Sequence, residues 1–492
     1  MLSYWAFQLK SRQFWNPNNS IPGKVVVMTH FDVVVVGAGH GGYTAAIRCA
    51  QLGMKTAIVE RQWWGGVSHN VGGIPLNALL RNAELAHILT RERSAYGILG
   101  EPRCDYSVAY SRSRAVSEHM IKGVNYLLRK HKITQYHGEA VFKDPTTLTV
   151  NFDTGVVERL DFTYGIIATG ASVRMPPQIE QSPRVLLPSE MILEPSLPKS
   201  IVICGGGPTG VEFAYVLVNY GVKVTIIEAR ERILPGEDAE VSAEISKAYR
   251  SLGINVMTCY KVVRVTETDK ATRVYVTPTD GGEHYVAESE KVLMATGFEP
   301  RIQDLGLQAT GIVLTEQGAI QVDDQMRTSI PNLFAVGDVA GKGMQVPVAQ
   351  AQGVLAAEVI AGEPTQPIDY AMVPRTINCR PQVACFGYSE LQAKQQGYDA
   401  VVFKFPLAAN ARAHGLGLGS GFVKLVVNRK HHEILGAHIV SPNTTELLPE
   451  LILAQQWDLT VDEVSRNMHA HPSLSEAIRD VCAAAVRSLD SL

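Results

Sequence analysis

Residues 31–60 read FDVVVVGAGHGGYTAAIRCAQLGMKTAIVE, and residues 201–228 read IVICGGGPTGVEFAYVLVNYGVKVTIIE. Each stretch holds three glycines at the spacing G-x-G-x-x-G. They are Gly37, Gly39 and Gly42 in the first, and Gly205, Gly207 and Gly210 in the second. Each ends on an acid, Glu60 or Glu228, 23 residues after its first glycine (37 to 60 and 205 to 228). These residue types suit the binding of a diphosphate and a ribose. The first glycine permits a tight turn, the second lets a pyrophosphate approach the backbone, and the third lets a helix lie close on a strand. Free N–H groups and the positive end of the helix dipole then meet the phosphates, while the acid accepts from ribose hydroxyls. One such motif is weak; two, with the acid at the same offset, predict two dinucleotide sites. An acid at 228 would repel a 2′-phosphate, which favours NAD over NADP. Arg230 and Arg232 follow closely and leave a minor use of NADP open.

For the glycines to act in this way, each motif must join a buried strand to a helix. Val33–Val36 is a continuous β-branched run, as in a strand covered on both faces of a parallel sheet. Thr56–Val59 is the second strand, closed by Glu60. The two units also end alike. Ile166-Ile-Ala-Thr169-Gly170 closes the first and Met294-Ala-Thr-Gly297 the second, each an apolar strand meeting a small-residue turn. A third apolar strand, Leu333-Phe-Ala-Val-Gly-Asp338, carries an acid at its C-terminal end. Asp338 there either binds a sugar-like hydroxyl or caps the next helix.

The chain has 492 residues, which at about 150 per domain suggests about three domains. Apolar residues make up 46% and charged residues 19%, enough for a large core. The net charge of −3 argues against a nucleic-acid partner, which would need a basic face. Residues 1–27 lack the apolar stretch of a signal peptide and read as an extension or tag ahead of a second methionine, Met28. No later run of about 20 apolar residues predicts a membrane span, so the default compartment is the cytoplasm. None of the seven cysteines (49, 104, 204, 259, 379, 385 and 482) forms a CxxC or CxxxxC pair. No Cys/His group has metal-ligand spacing. Thiols used as small core residues in a reducing compartment account for the pattern, Cys379 and Cys385 included.

With these pieces in this order, the chain resembles the pyridine nucleotide–disulfide oxidoreductases, and within them the dihydrolipoamide dehydrogenase branch of actinobacterial type. The resemblance runs from about Met28 to the C-terminus and includes WWGG, ALLRNAELAHI, PKSIVI, ELLPELILAQQWDLT and HAHPSLSEA. It implies FAD on the first glycine motif and NAD on the second. It also implies Asp338 on the FAD ribityl chain, Gly138 in the FAD adenine pocket and a dimerisation domain from about Val373. Family active sites are completed by the partner subunit, so an obligate homodimer is implied. The expected fold is α/β, with two Rossmann-like domains and a C-terminal α+β domain. Its boundaries fall at 28–175 for the FAD domain, 176–300 for the NAD domain, 301–370 for a segment completing the first, and 371–492 for dimerisation.

The family's redox disulfide lies in a pattern of the kind GGTCLNVGCIPSKALL, where this chain reads GGVSHNVGGIPLNALL over residues 65–80. By that resemblance Ser68 and Gly73 stand at the two cysteine positions. Neither can form a disulfide or a thiolate. Leu76-Asn77 replaces Ser-Lys. The family's lysine pairs near the flavin with a glutamate that matches Glu212, so Glu212 lacks that partner and its protonation state is open. Pro208 and Pro347 replace a gating side chain and a histidine. His471 and Glu476, in HPSLSE, match the family's acid–base histidine and its orienting carboxylate. The rival reading keeps that pair only for interface packing.

Disulfide exchange needs a thiolate, so dihydrolipoamide turnover is expected to be absent or trace. A glycine at 73 opens space beside the flavin, and Ser68, His69 and Asn77 are expected to make that pocket polar. The preferred reading is a flavoenzyme exchanging hydride directly between FAD and a small-molecule substrate, with NAD(H) as redox partner and His471 moving the proton. The alternatives are an NADH:quinone or oxygen diaphorase and a non-catalytic FAD-binding subunit.

Overall fold

A computed structural model describes residues 29–491. The reading of residues 1–27 and Met28 lies outside these residues. The described chain is α/β, as expected, with two parallel-sheet units followed by an antiparallel sheet with helices.

The first sheet has seven strands. Thr29–Val36 lies at its centre, flanked in parallel by Thr56–Glu60 and Val157–Ile167, with Thr134–His137 beyond Thr56–Glu60. The run Val33–Val36 carries no polar alternation because both of its faces are covered, one by helices His40–Gln51, Tyr106–Lys130 and Val346–Ala361 and the other by strands and short turns. Val34 and Val36 enter one apolar cluster, and Val33 and Val35 another. An antiparallel extension, Thr147–Asn151 and Glu139–Asp144, continues from Val157–Ile167.

The chain leaves through Ala171–Val173 and returns through Phe298–Pro300, which pair antiparallel. Between them lies the second sheet, with five parallel strands in the order Asn255–Met257, Lys223–Ile227, Ser200–Cys204, Lys291–Met294, Val185–Leu186. A three-stranded antiparallel sheet over 260–289 is inserted between its strands Asn255–Met257 and Lys291–Met294. Leu333–Ala335 then rejoins the first sheet, parallel to Val157–Ile167.

The C-terminal sheet has five antiparallel strands in the order Arg375–Ile377, Gln382–Gly387, Ile434–Ser441, Phe422–Asn428, Ala400–Pro406. All fifteen residues of the strands Phe422–Asn428 and Ile434–Ser441 are buried. One face meets helices Thr444–Gln456 and Glu476–Leu489 of its own unit. Val383, Cys385, Phe422 and Val440 join the core shared with helices Gly73–Arg91 and Pro208–Asn219. Buried Lys424 crosses the junction to Asp238 at 2.9 Å and Glu240 at 2.8 Å. Cys379 and Cys385 are buried free thiols, and none of the seven cysteines is paired. No helix among the described residues is long and apolar enough to cross a membrane. No group of three or more potential metal ligands occurs among them.

Candidate active site

The two glycine motifs fold into the same device. Gly37 and Gly205 adopt positive φ, +102° and +116°, which L side chains rarely take. The third glycines make the closest approach. A Cβ on Gly42 would lie 1.8 Å from the Gly37 carbonyl oxygen, and one on Gly210 would lie 2.0 Å from that of Gly205. The middle glycines differ. A Cβ on Gly39 would meet nothing nearer than 3.9 Å, and one on Gly207 nothing within 4 Å, so both face open space.

The acids latch these loops. Glu60 accepts from the N–H groups of Ala38 (2.8 Å), Gln62 (2.8 Å) and Trp63 (2.9 Å). Glu228 accepts from Gly206 (2.7 Å) and Arg230 (2.9 Å). Each carboxylate therefore ties the turn after its second strand back to the glycine loop, a role beyond hydroxyl binding.

A cavity of about 600 Å³ opens over the first motif. Of the residues expected there, Gly37, Gly39, Glu60, Gly138, Thr169, Gly170 and Asp338 line it, as do Ser68, Gly73 and Glu212. Gly42 does not, because it lies on the face of helix His40–Gln51 that packs on the Gly37 turn. No cysteine lines the cavity. A smaller cavity of about 150 Å³ lies over the second motif, with Gly207, Pro208, Thr209 and Gly297 on its wall. Thr209 lines both, so helix Pro208–Asn219 begins where the two meet. Gly205, Gly210 and Glu228 shape that loop from behind. Pro208 occupies the first helical position, where proline's missing N–H costs nothing.

Two residues expected in the pocket sit elsewhere. His69 is buried, with Nδ1 3.0 Å from the Gly65 carbonyl oxygen, and does not line the cavity. It stacks under His40, whose ring is 4.5 Å away and 17° from parallel. Burial, helped by His69, pushes the His40 imidazole down to about 4, and burial lowers His69 as well, against the Gly65 carbonyl. Both rings are neutral at ordinary pH, and His40 is the one that lines the cavity. Asn77 is exposed and off the wall. Consecutive residues are about 100° apart on a helix, so apolar Leu76 turns into the wall and polar Asn77 takes solvent.

The cavity acids are unequal. Asp338 lies inside the short 3₁₀ turn Gly337–Ala340, whose cap is Val336, so it is not a helix cap. Burial pushes its carboxyl up to about 6. No described side-chain hydrogen bond satisfies it. Glu212 is pushed up to about 7 by burial, against two bonds from Asn378 that favour the carboxylate. Arg301 also lines the cavity; its N–H donates to the Gly170 carbonyl at 2.9 Å and its own carbonyl accepts from Thr169 at 2.6 Å. Nothing in the sequence singled out Arg301. His40 had a signal, since it fills a variable position of the glycine motif.

His471 lies apart from both cavities. Its Nδ1 is 3.0 Å from Glu476 Oε1, while the Ser473 N–H donates to Glu476 Oε2 at 2.9 Å. The Ser473 N–H and the His471 ring hold the Glu476 carboxyl below its usual range. The His471 side chain is 73% exposed, so a single chain does not bring it to the cavity. His469, by contrast, is 4% exposed and paired to Glu450 at 3.0 Å.

Known proteins share this architecture. The chain is 52% identical over 454 residues to a dihydrolipoyl dehydrogenase of Mycobacterium tuberculosis, spanning 92% of this chain and 97% of that one. A dihydrolipoyl dehydrogenase of Corynebacterium glutamicum is 46% identical over the same coverage. Among solved structures, LpdA from Mycobacterium tuberculosis superposes with a TM-score of 0.85 at 25% identity, covering 93% of this chain and 99% of that one. The HOCl-induced flavoprotein disulfide reductase RclA from Escherichia coli superposes with a TM-score of 0.82 at 26% identity, covering 92% and 99%. The pyridine nucleotide-disulphide oxidoreductase signature matches residues 31–353, and the dimerisation domain of the same family matches residues 373–482. On its two glycine cradles, its fold and these matches, the chain belongs to the pyridine nucleotide-disulphide oxidoreductase family.

Proposed function

We propose that the protein is an FAD- and NAD-dependent oxidoreductase that exchanges hydride directly between flavin and a small molecule, with no cysteine relay. The carrying observation is the cavity wall: Ser68 and Gly73 stand on it, and no cysteine does. The residues present fit the two nucleotides. Gly39 and Gly207 leave open space where diphosphates would approach, and Asp338 offers a carboxyl with no described side-chain hydrogen bond to a ribityl hydroxyl. Bound flavin supplies two-electron hydride exchange.

The chain's own groups do the rest. Glu60 and Glu228 hold the phosphate loops in shape. Gly73 leaves room for a substrate, since a Cβ there would meet only Ser68 Oγ, at 3.9 Å. Ser68 makes that wall polar. His471, oriented through Nδ1 by Glu476, keeps Nε2 for proton transfer. Its exposure on the unit matched to dimerisation domains supports delivery into the cavity of a second copy, in a homodimer. Glu228 supports NAD as the nucleotide of the second motif.

The test is anaerobic mixing of flavin-loaded protein with NADH, then addition of acceptors. The flavin is expected to bleach and to recover with a specific compound. His471→Ala is expected to cut that turnover by about 10²–10⁴-fold, the usual contribution of a positioned acid–base group, without slowing the bleaching. Fast recovery with simple quinones, equal in His471→Ala, would instead establish a diaphorase. No bleaching would establish a non-catalytic subunit.

A further inference from the structure

Glu212 is a half-buried acid that the scheme above leaves without a task. It stands on helix Pro208–Asn219, one turn in from Thr209, a residue that lines both cavities. Its Oε1 accepts both the Asn378 backbone N–H at 2.8 Å and the Asn378 side-chain amide at 3.4 Å. Its Oε2 takes no described hydrogen bond, on a residue that lines the larger cavity. The titratable groups beside it are the Cys379 thiol, from the C-terminal unit, and the Tyr249 phenol, from helix Ala239–Ser251. Burial keeps both neutral, the thiol up to about 12 and the phenol well above its usual value. Helix Gly73–Arg91 contributes Leu76 to the same wall. No cation among the described residues compensates the carboxylate.

Resting on the function proposed above, we propose that Glu212 is a redox-linked proton site, taking up one proton when a hydride enters the cavity and releasing it when the hydride leaves. A hydride brings two electrons and one proton, and leaves the cavity one negative charge richer. An uncompensated carboxyl with one free oxygen is the group that such a charge protonates from solvent. Reoxidation by a two-electron carbonyl or quinone-type acceptor S then balances as S + H⁻ + H⁺ → SH₂. Pyridine nucleotide supplies the hydride and His471 hands S the proton, while Glu212 returns its own proton to solvent as the negative charge leaves, restoring the carboxylate. Because burial places the oxidised-state carboxyl at about 7, uptake is confined to pH values above that. Below it, Glu212 is protonated in both redox states and contributes nothing.

The experiment is a spectroelectrochemical titration of the bound flavin from about pH 5.5 to 8.5, poised with mediator dyes. Because the dyes set the potential, it reads Glu212 even if NADH fails to reduce the protein, which would overturn the functional reading alone. The wild-type midpoint is expected to steepen above about pH 7 by one proton per two electrons. That is tenfold per pH unit, or about 30 mV. Glu212→Gln is expected to keep the shallow slope throughout. Should that variant lose flavin, Asn378→Ala is read instead. Removing the side-chain donor is expected to move the break to higher pH. A straight wild-type line overturns the proposal, as does a break that survives in Glu212→Gln or stays in place in Asn378→Ala. A break abolished by Asp338→Asn and not by Glu212→Gln also overturns it.

Discussion

The double variant Ser68→Cys/Gly73→Cys will oxidise dihydrolipoamide with NAD at least ~10²-fold faster than the wild-type chain, whose turnover will sit at background. Thiol exchange requires a thiolate, and a serine hydroxyl or a glycine supplies none at any attainable pH. The site can receive a cysteine pair. A Cβ built on Gly73 clashes with nothing, and its nearest neighbour is Ser68 Oγ at 3.9 Å. The side-chain atom of residue 68 already points at that Cβ, so a sulfur placed there can rotate into reach of one at 73. Thiol titration of the oxidised double variant should find the two new sulfurs protected. Either single variant should stay inactive, because a lone cysteine cannot close the exchange cycle. Vigorous lipoamide turnover by the unmodified protein would refute the reading of residues 68 and 73. Asn77 carries no charge, so the double variant still lacks a cation beside Glu212, and its rate should fall short of a full dithiol enzyme.

The second large effect separates two glycines three residues apart. Gly42→Ala will destroy the first dinucleotide unit, and Gly39→Ala will leave it folded. At 42 the new methyl would lie 1.8 Å from a backbone oxygen, a clash that no side-chain rotation relieves. Overpacking of this kind costs about 3 kcal/mol or more, a large share of a domain's stability. Gly42→Ala should therefore be recovered aggregated or with a strongly lowered Tm. At 39 the methyl points into open space, so thermal stability should barely move while flavin affinity falls at least ~10-fold, because the methyl occupies the diphosphate's approach. Gly210→Ala and Gly207→Ala repeat the contrast for the pyridine nucleotide: 2.0 Å from the Gly205 oxygen at 210, open space at 207. Equal stability losses in Gly42→Ala and Gly39→Ala would disprove the division of labour. Calorimetry and flavin binding on the same preparations decide it.

The glycine motifs, the strands before them and the acids after them were legible because each is closed within a few tens of residues. An all-β-branched run such as Val33–Val36 has no solvated face, so it announces a strand covered on both sides. His471 and Glu476 are five positions apart, and their bond closes within one turn-and-helix segment. The pocket beside residues 65–80 was read less well. One strand of sequence placed Ser68, His69, Gly73 and Asn77 together, yet helical direction sends them to different surroundings. Ser68 and Gly73 face the cavity, His69 is turned under His40, and Asn77 meets solvent. A sequence match fixes position along a helix but not which side of it a neighbouring element covers.

By itself, then, the sequence determined the two phosphate cradles, the α/β class and the residues at the suspected redox positions, since all of these depend on backbone geometry over short spans. Only the tertiary structure decided what shares the cavity. Arg301 reaches Thr169 across 132 residues, and Asn378 reaches Glu212 across 166. The states of Asp338 and Glu212 follow from burial, which is a property of everything packed around a carboxyl and not of the carboxyl's own neighbours in the chain. The exposure of His471 was likewise invisible until the C-terminal sheet was folded, because a local hydrogen bond orients an imidazole without saying what it will face.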